Sequence, residues 1–177
     1  MSTRKQELLD AALGHLLKHG IANASLRPLA EAIGTSPRML MFHFKSKEGL
    51  IRDVLDELNR RLLASFAIVG SPGQGDIPPL KRFFLWAIAD DNAGYLRLFY
   101  EVQVIAVQNP GEYGRYLKQA SADWQAAALK ALSASIRSES LATLCIAVFD
   151  GLFLEFMLTG DRKRLIAAMD RFIAMAR

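Results

Sequence analysis

The stretch SLRPLAEAIGTSPRMLMFHFKSKEGL, residues 25–50, predicts two short helices joined by a tight turn. Ser25 is a favourable residue to cap the first helix, and Ser36 followed by Pro37 is a strong start signal for the second. Gly34 can adopt the left-handed backbone that lets the second helix leave at a steep angle. Apolar residues spaced three or four apart give each helix an inward face, with Leu26, Leu29, Ala30 and Ile33 on the first and Leu40 and Phe44 on the second. This is the layout of a helix-turn-helix.

The outward side of the second helix carries side chains able to reach base edges or phosphates, namely Arg38, Met39, Phe42 and His43. Residues 1–50 hold seven Lys or Arg and four acids, so +3 of the chain's net charge of +4 lies there. A basic balance concentrated in this segment favours a polyanion as partner over an acidic small substrate.

Helices are also predicted on both sides of this pair. Residues 4–19 have Leu9, Ala12, Leu13 and Leu16 at helical spacing, with Gly20 just past the end. After the pair, Ser46 can cap a helix that continues through Phe66. We therefore expect a DNA-binding domain at residues 1–46, followed by a larger helical domain at 47–177.

The rest of the chain predicts an all-α fold, because no segment alternates with the period of a strand. The segment GSPGQGDIPP, residues 70–79, has Gly or Pro at six of its ten positions and is expected to form a loop. Helical patterns follow at about 79–90, 93–108 and 112–136, then from Ser140 to about Leu158 and from Asp161 through Ile173. Charged residues along 90–118 are scattered, as is typical of solvated helix faces.

The composition limits the classes of protein to which this chain can belong. With 177 residues, 51% of them hydrophobic, the chain can bury a substantial core. The single Cys145 forms no internal disulfide, and neither an export signal nor an apolar run of ~20 residues is evident, so we expect a cytoplasmic protein. His15 and His19 lack further ligands and are interpreted as surface residues, so we expect no metal and no cofactor.

The pieces SLRPLAEAIGTSPRML, HF and KSKEGL, in this register, resemble the TetR family of transcriptional regulators. The resemblance implies a set of DNA-contacting residues: Arg4, Ser25, Arg27, Thr35, Ser36, Pro37, Arg38, Met39, His43 and Lys47. Arg38 is expected to read a base, whereas His43 and Lys47 are expected to touch phosphates. Family members usually place a phosphate-binding tyrosine where this chain has Met41.

The helix predicted at 140–158 is apolar over more than one face, so it must bury two sides. Its segment FDGLFLEFMLTGD resembles the part of TetR-type proteins that forms a homodimer. The implied interface residues are Val148, Gly151, Leu152, Glu155, Met169 and Phe172. The alternative is that this helix is the central core helix of a monomer.

Aromatic residues are frequent in the larger domain and are mostly expected to be core. The resemblance nevertheless implies a pocket for a small, mainly apolar effector, for which the candidate residues are Phe83, Trp86, Phe99, Tyr100, Gln103, Trp124, Phe149 and Phe153.

The resulting hypothesis is a ligand-responsive repressor that binds a palindromic DNA operator as a homodimer and is released by its effector. One alternative is a constitutive architectural DNA-binding protein without a ligand. A helical-bundle enzyme is the other, but no glutamate has a histidine three residues on, and no Gly-x-Ser-x-Gly or phosphate-binding glycine loop is present.

Overall fold

The computed structural model describes residues 3–21, 25–71 and 77–175, and within these ranges all regular secondary structure is helical. A short 3-10 turn, Asp90–Asn92, precedes the sixth helix. The α-helices in the described ranges are α1 Thr3–His19, α2 Leu26–Ala32, α3 Pro37–Phe44, α4 Lys47–Val69, α5 Pro79–Ala87, α6 Ala93–Gln108, α7 Pro110–Ala131, α8 Glu139–Thr159 and α9 Arg162–Met175. The predicted all-α fold is confirmed.

The chain forms two compact units. The first unit consists of Met1–Arg60 and Arg97–Lys118, and the second of Arg61–Leu96 and Gln119–Arg177. Helices α4, α6 and α7 each contribute residues to both units. The expected domain boundary after residue 46 stays a prediction.

In the first unit, α1, α2 and α3 pack against one another in every pairing. Their apolar stripes supply the core, in which Leu13 of α1 and Leu40 of α3 have no exposed surface. Beyond these helices, Lys5 of α1 forms an ion pair of 2.5 Å with Asp53 of α4. Arg52 of α4 pairs with Glu112 of α7. These ion pairs join α1 to α4 and α4 to α7.

In the second unit, α9 packs against both α5 and α8. Phe84 of α5 and Met169 of α9 are completely buried. An ion pair of 2.5 Å between Lys81 and Asp170 joins α5 to α9 at the surface. The Arg162 guanidinium donates to the carbonyl of Ile88 at 3.2 Å, which fixes the start of α9.

Most predicted helix ends agree with the structure, and the differences have local causes. The helix predicted at 112–136 is α7, which ends at Ala131 because the serine-rich segment after it forms turns. Helix α8 begins at Glu139 rather than at Ser140, because Ser138 caps it: the Ser138 hydroxyl accepts from the Leu141 amide at 3.2 Å. The predicted loop at 70–79 is consistent with α4 ending at Val69 and α5 beginning at Pro79, although residues 72–76 lie outside the described ranges.

Candidate nucleic-acid interface

The turn between α2 and α3 sets the direction of the second helix. Gly34 has φ +68°, in the left-handed region that favours glycine. The amide of Thr35 donates to the carbonyl of Ala30 at 2.8 Å, which closes the end of α2. The Ser36 hydroxyl accepts from the Met39 amide at 3.2 Å, and Pro37 occupies the first turn of α3. The predicted glycine turn and serine cap are both confirmed.

Helix α3 divides sharply between a buried and an exposed side. Leu40 and Phe44 are 0% and 4% exposed and attach the helix to the core, as predicted. On the other side Met39, Met41 and Phe42 are 38%, 40% and 65% exposed. Apolar side chains at the rim of a DNA major groove can contact thymine methyl groups. The exposed side chains of Met39, Met41 and Phe42 could therefore contact base edges or a protein partner.

All the residues expected to contact DNA belong to the first unit. Eight of them are exposed, namely Arg4, Ser25, Arg27, Ser36, Pro37, Arg38, Met39 and Lys47, while Thr35 and His43 are half-buried. Arg4 pairs with Glu7 at 2.9 Å, but both side chains are more than half exposed, so this pair is easily exchanged for another anion.

Two predicted roles need qualification from the geometry. Ser25 occupies the capping position of α2, but its side chain makes no cap hydrogen bond. The Nε2 atom of His43 is buried without a hydrogen-bond partner, and the ring lies edge-on to Phe42 at 5.1 Å between centroids. Because Nε2 points away from solvent, the phosphate contact of His43 stays a prediction.

Lys45 was missed by the sequence reasoning. It follows α3 directly with φ +69°, and its ammonium donates to the Phe42 carbonyl at 3.0 Å while lying 5.4 Å from the centre of the Phe42 ring. The exposed cation thus stands beside the exposed ring of α3. A lysine directly after the last aromatic residue of a recognition helix is the sequence signal that could have indicated it.

The predicted effector residues are divided between the two units. In the second unit, Phe83 lies at the centre of a ring cluster, with centroid distances of 4.8 Å to Phe66 and 5.5 Å to Trp86. Its other ring contacts within 6.3 Å are to Trp124, Phe149 and Phe153. Phe66 belongs to this cluster as well, although the sequence analysis placed it only in the helix that follows Ser46.

The remaining predicted effector residues, Phe99, Tyr100 and Gln103, belong to the first unit. There the Oε1 atom of Gln103 and the hydroxyl of Tyr116 are buried without hydrogen-bond partners. Burial and the nearby carboxylate of Asp56 raise the pKa of the Tyr116 hydroxyl well above its usual range, so it remains a protonated donor. Buried polar atoms without partners are rare, and a polar ligand group could satisfy them.

The candidate dimer surface lies on α8. Leu144, Leu154 and Leu158 are 57%, 50% and 71% exposed. Between them Gly151 is exposed, and a Cβ added there would meet no atom within 4 Å. The spacing of these residues places them on one face of α8. This face is therefore open to a partner. Among the described helices, α8 alone also has the length and apolar composition of a membrane span, a test that helices of soluble proteins pass as well.

The other predicted interface residues differ in availability. Val148, Leu152 and Phe172 are half-buried, and Glu155 is engaged by Arg164 at 2.6 Å. Met169 has no exposed surface, because it packs inside its own unit, so we leave it out of the proposed interface.

Comparison with known proteins places these features in a family. Residues 8–54, which contain most of α1, all of α2 and α3 and the start of α4, match the model of bacterial regulatory proteins of the tetR family. The chain is 29% identical over 163 residues to the HTH-type nicotine-responsive transcriptional repressor HdnoR of Paenarthrobacter nicotinovorans, covering 86% of this chain and 83% of HdnoR.

Solved structures with the same fold cover nearly the whole chain. A TetR-family regulator from Rhodococcus sp. is 26% identical with a TM-score of 0.73, covering 97% of this chain and 99% of its own. A transcriptional regulator from Rhodococcus sp. Rha1 is 22% identical with a TM-score of 0.82, covering 98% and 96%. These relatives are transcriptional regulators and not enzymes. The matched segment, residues 8–54, which includes the capped and exposed α3, is therefore similar to the tetR family of bacterial regulatory proteins.

Proposed function

We propose that this regulator represses transcription by binding a palindromic operator as a homodimer, and that a small, mainly apolar effector releases it. The observation that carries the proposal is α3, a capped helix in the family's DNA-binding segment that exposes Arg38, Met39 and Phe42 on its outward side. The relative HdnoR is a repressor, which supports repression rather than activation.

Base reading is assigned to the first turn and outward side of α3. Arg38 can donate two parallel hydrogen bonds to a guanine, and Met39 can contact a thymine methyl group. Phosphate contacts are assigned to Lys47, Ser25 and Arg4, which fix the position of the helix but carry no sequence information. The Ser25 hydroxyl suits this role because it makes no cap hydrogen bond within the protein.

The dimer is assigned to the exposed face of α8 defined by Leu144, Gly151, Leu154 and Leu158. One recognition helix covers only a few base pairs, whereas two related by a twofold axis span successive major grooves about 34 to 36 Å apart. Covering an apolar helix face of this kind with a second copy removes apolar surface from water, which stabilises the dimer. Recognition of a palindrome therefore requires the dimer.

Effector binding is assigned to the ring cluster around Phe83 in the second unit. HdnoR responds to nicotine, a small aromatic base, which supports this chemical class of effector. The regulator then has a state that binds the operator and a state that does not. An effector lowers operator affinity only as far as its affinities for these two states differ, so a hundredfold release requires ~2.7 kcal/mol of coupling.

Selection of binding sites from random duplex DNA by the full chain tests operator recognition. We expect an inverted repeat with half-sites about 10 base pairs apart. Enrichment of a single half-site, or of no sequence at all, would contradict the palindromic operator.

The effector is tested by thermal melting of the full chain with a panel of aromatic amines and neutral aromatic compounds. We expect at least one compound to raise the melting temperature and to lower affinity for the selected operator. A panel that changes neither quantity, in a protein that does select an operator, would favour the constitutive architectural binder.

A further inference from the structure

One carboxylate of α6 holds the chain where α1 ends. The Oε2 atom of Glu101 accepts a hydrogen bond of 2.7 Å from the backbone amide of Ile21, eighty residues away in sequence. Ile21 is 5% exposed, so this bond is shielded from water on the side of the amide. Glu101 is therefore not one of the solvated charges that we expected along 90–118.

A second side chain of α6 completes the contact. The guanidinium of Arg97 donates to the Leu17 carbonyl in the last turn of α1 at 2.8 Å, and its Nε lies 3.8 Å from Oε1 of Glu101. The last carbonyls of a helix lack partners within the helix, so a cation is favourable there. Arg97 thus binds an acceptor of α1, while Glu101 binds the donor that follows it. We call the pair the α6 clamp.

Gly20 shows how closely α6 approaches this point. Its φ is +75°, and a Cβ added to it would lie 2.8 Å from Oε1 of Glu101. Any side chain at this position would therefore strain the backbone and also displace the carboxylate.

The clamp is linked to the recognition helix by direct packing. Helix α1 packs against both α2 and α3 within the first unit. Ile21 lies four residues before Ser25, which occupies the N-cap position of α2. A shift of α6 relative to α1 would therefore change the position from which α3 meets DNA.

We propose that Glu101, oriented by Arg97, is a positioning residue for DNA recognition, which fixes the end of α1 to α6 so that operator affinity depends on this contact. The inference rests on the proposed operator binding. Gln103, whose Oε1 atom is buried without a partner, lies two residues further along α6. A ligand that binds Gln103 would act on the same helix as the clamp.

The test compares full-length variants on the operator selected by the wild-type chain. Glu101→Ala removes both interactions, whereas Glu101→Gln keeps an oxygen acceptor for the Ile21 amide. Gln108→Ala, at an exposed position of the same helix, is the matched control. We expect Glu101→Ala to weaken operator binding about tenfold, as suits one charge-assisted hydrogen bond, with Glu101→Gln and Gln108→Ala close to wild type.

Two readouts separate positioning from general loss of structure. Affinity for non-operator DNA should be unchanged in Glu101→Ala, because the phosphate-contacting side chains remain. Hydrogen exchange at the Ile21 amide should become faster in Glu101→Ala but not in Gln108→Ala. Full operator affinity in a Glu101→Ala protein whose Ile21 amide is unprotected would overturn the positioning role.

A double substitution keeps the test decisive if Glu101→Ala folds poorly. Gly20→Ala alone should lower operator affinity, and this loss should be smaller when Glu101 is also alanine, since the clash is then removed. Independent losses from the two substitutions would overturn the proposal. A wild-type chain that selects no operator would instead overturn the proposed function, whereas Ile21 exchange would still report the contact.

Discussion

At the residue scale, Arg38 lies in the first exposed turn of α3, directly after the Ser36 cap and Pro37. Because a guanidinium can bind guanine through two parallel hydrogen bonds, Arg38→Ala should cost ~1 to 3 kcal/mol of operator binding. The preference for one particular base should relax at one base pair per half-site. Repeating the site selection with the variant measures this change. Arg171→Ala, exposed on α9, is the control. An unaltered motif from Arg38→Ala would remove it from base reading.

Lys47 lies at the start of α4 with its side chain exposed. If it contacts a phosphate, Lys47→Ala should weaken binding to all DNA sequences alike. The slope of log affinity against log salt concentration should fall by about one unit, since one fewer counterion is released. Titrations at several salt concentrations with operator and non-operator DNA measure this. A variant with the wild-type slope would show that Lys47 does not touch the backbone.

Cys145 is 1% exposed, and burial raises the pKa of its thiol. The thiolate is the reactive form, so the folded protein should react with a thiol reagent far more slowly than the denatured protein. Since the folded state holds this proton more tightly, the thiol's contribution to stability is full below the unfolded pKa and is lost as pH rises towards the folded pKa. Rapid labelling of the folded protein at neutral pH would contradict the burial of this side chain; Cys145→Ser gives the background.

At the element scale, α8 offers the clearest test, because Gly151 sits in the middle of its exposed apolar face. A Cβ at residue 151 would meet no atom within 4 Å and the position is exposed, so the Gly151→Leu variant should fold. Facing helices in a dimer would be forced apart at two symmetric positions, at a cost of about 1 to 3 kcal/mol each. Sedimentation at micromolar concentration should show a shift towards monomer.

The control for Gly151 is Gly111→Leu, at another exposed helical glycine with open space around it. It should leave the oligomeric state unchanged. A Gly151→Leu protein that sediments as a full dimer would exclude this face of α8 as the interface.

At the scale of the whole molecule, dimerisation makes two measured quantities depend on protein concentration. If folding and dimer formation are coupled, the melting temperature of the wild-type chain should rise with concentration. Operator binding should likewise become steeper once the protein is diluted below its dimer dissociation constant. Calorimetry and operator titrations over a hundredfold range of about 0.1 to 10 μM would reveal both effects. Constant values throughout, with a monomeric mass, would contradict the dimer.

The sequence by itself determined the helices and the candidate DNA-reading site, because their signals are local. A cap, a glycine turn and an apolar stripe act over three or four residues, as at Ser36, Gly34 and Leu40. The exposed side of α3 followed from the same spacing. A resemblance carried by neighbouring segments of this stretch then indicated the family that residues 8–54 match.

The tertiary structure alone decided which distant residues meet. The bond from Ile21 to Glu101 and the place of Phe66 in the ring cluster join segments that no local pattern connects. It likewise showed that Met169, which the resemblance placed at the dimer interface, has no exposed surface, and that α4, α6 and α7 each serve both units. The physical reason is that side-chain spacing fixes which face of a helix is apolar, whereas the neighbour that covers this face depends on the packing of the whole chain.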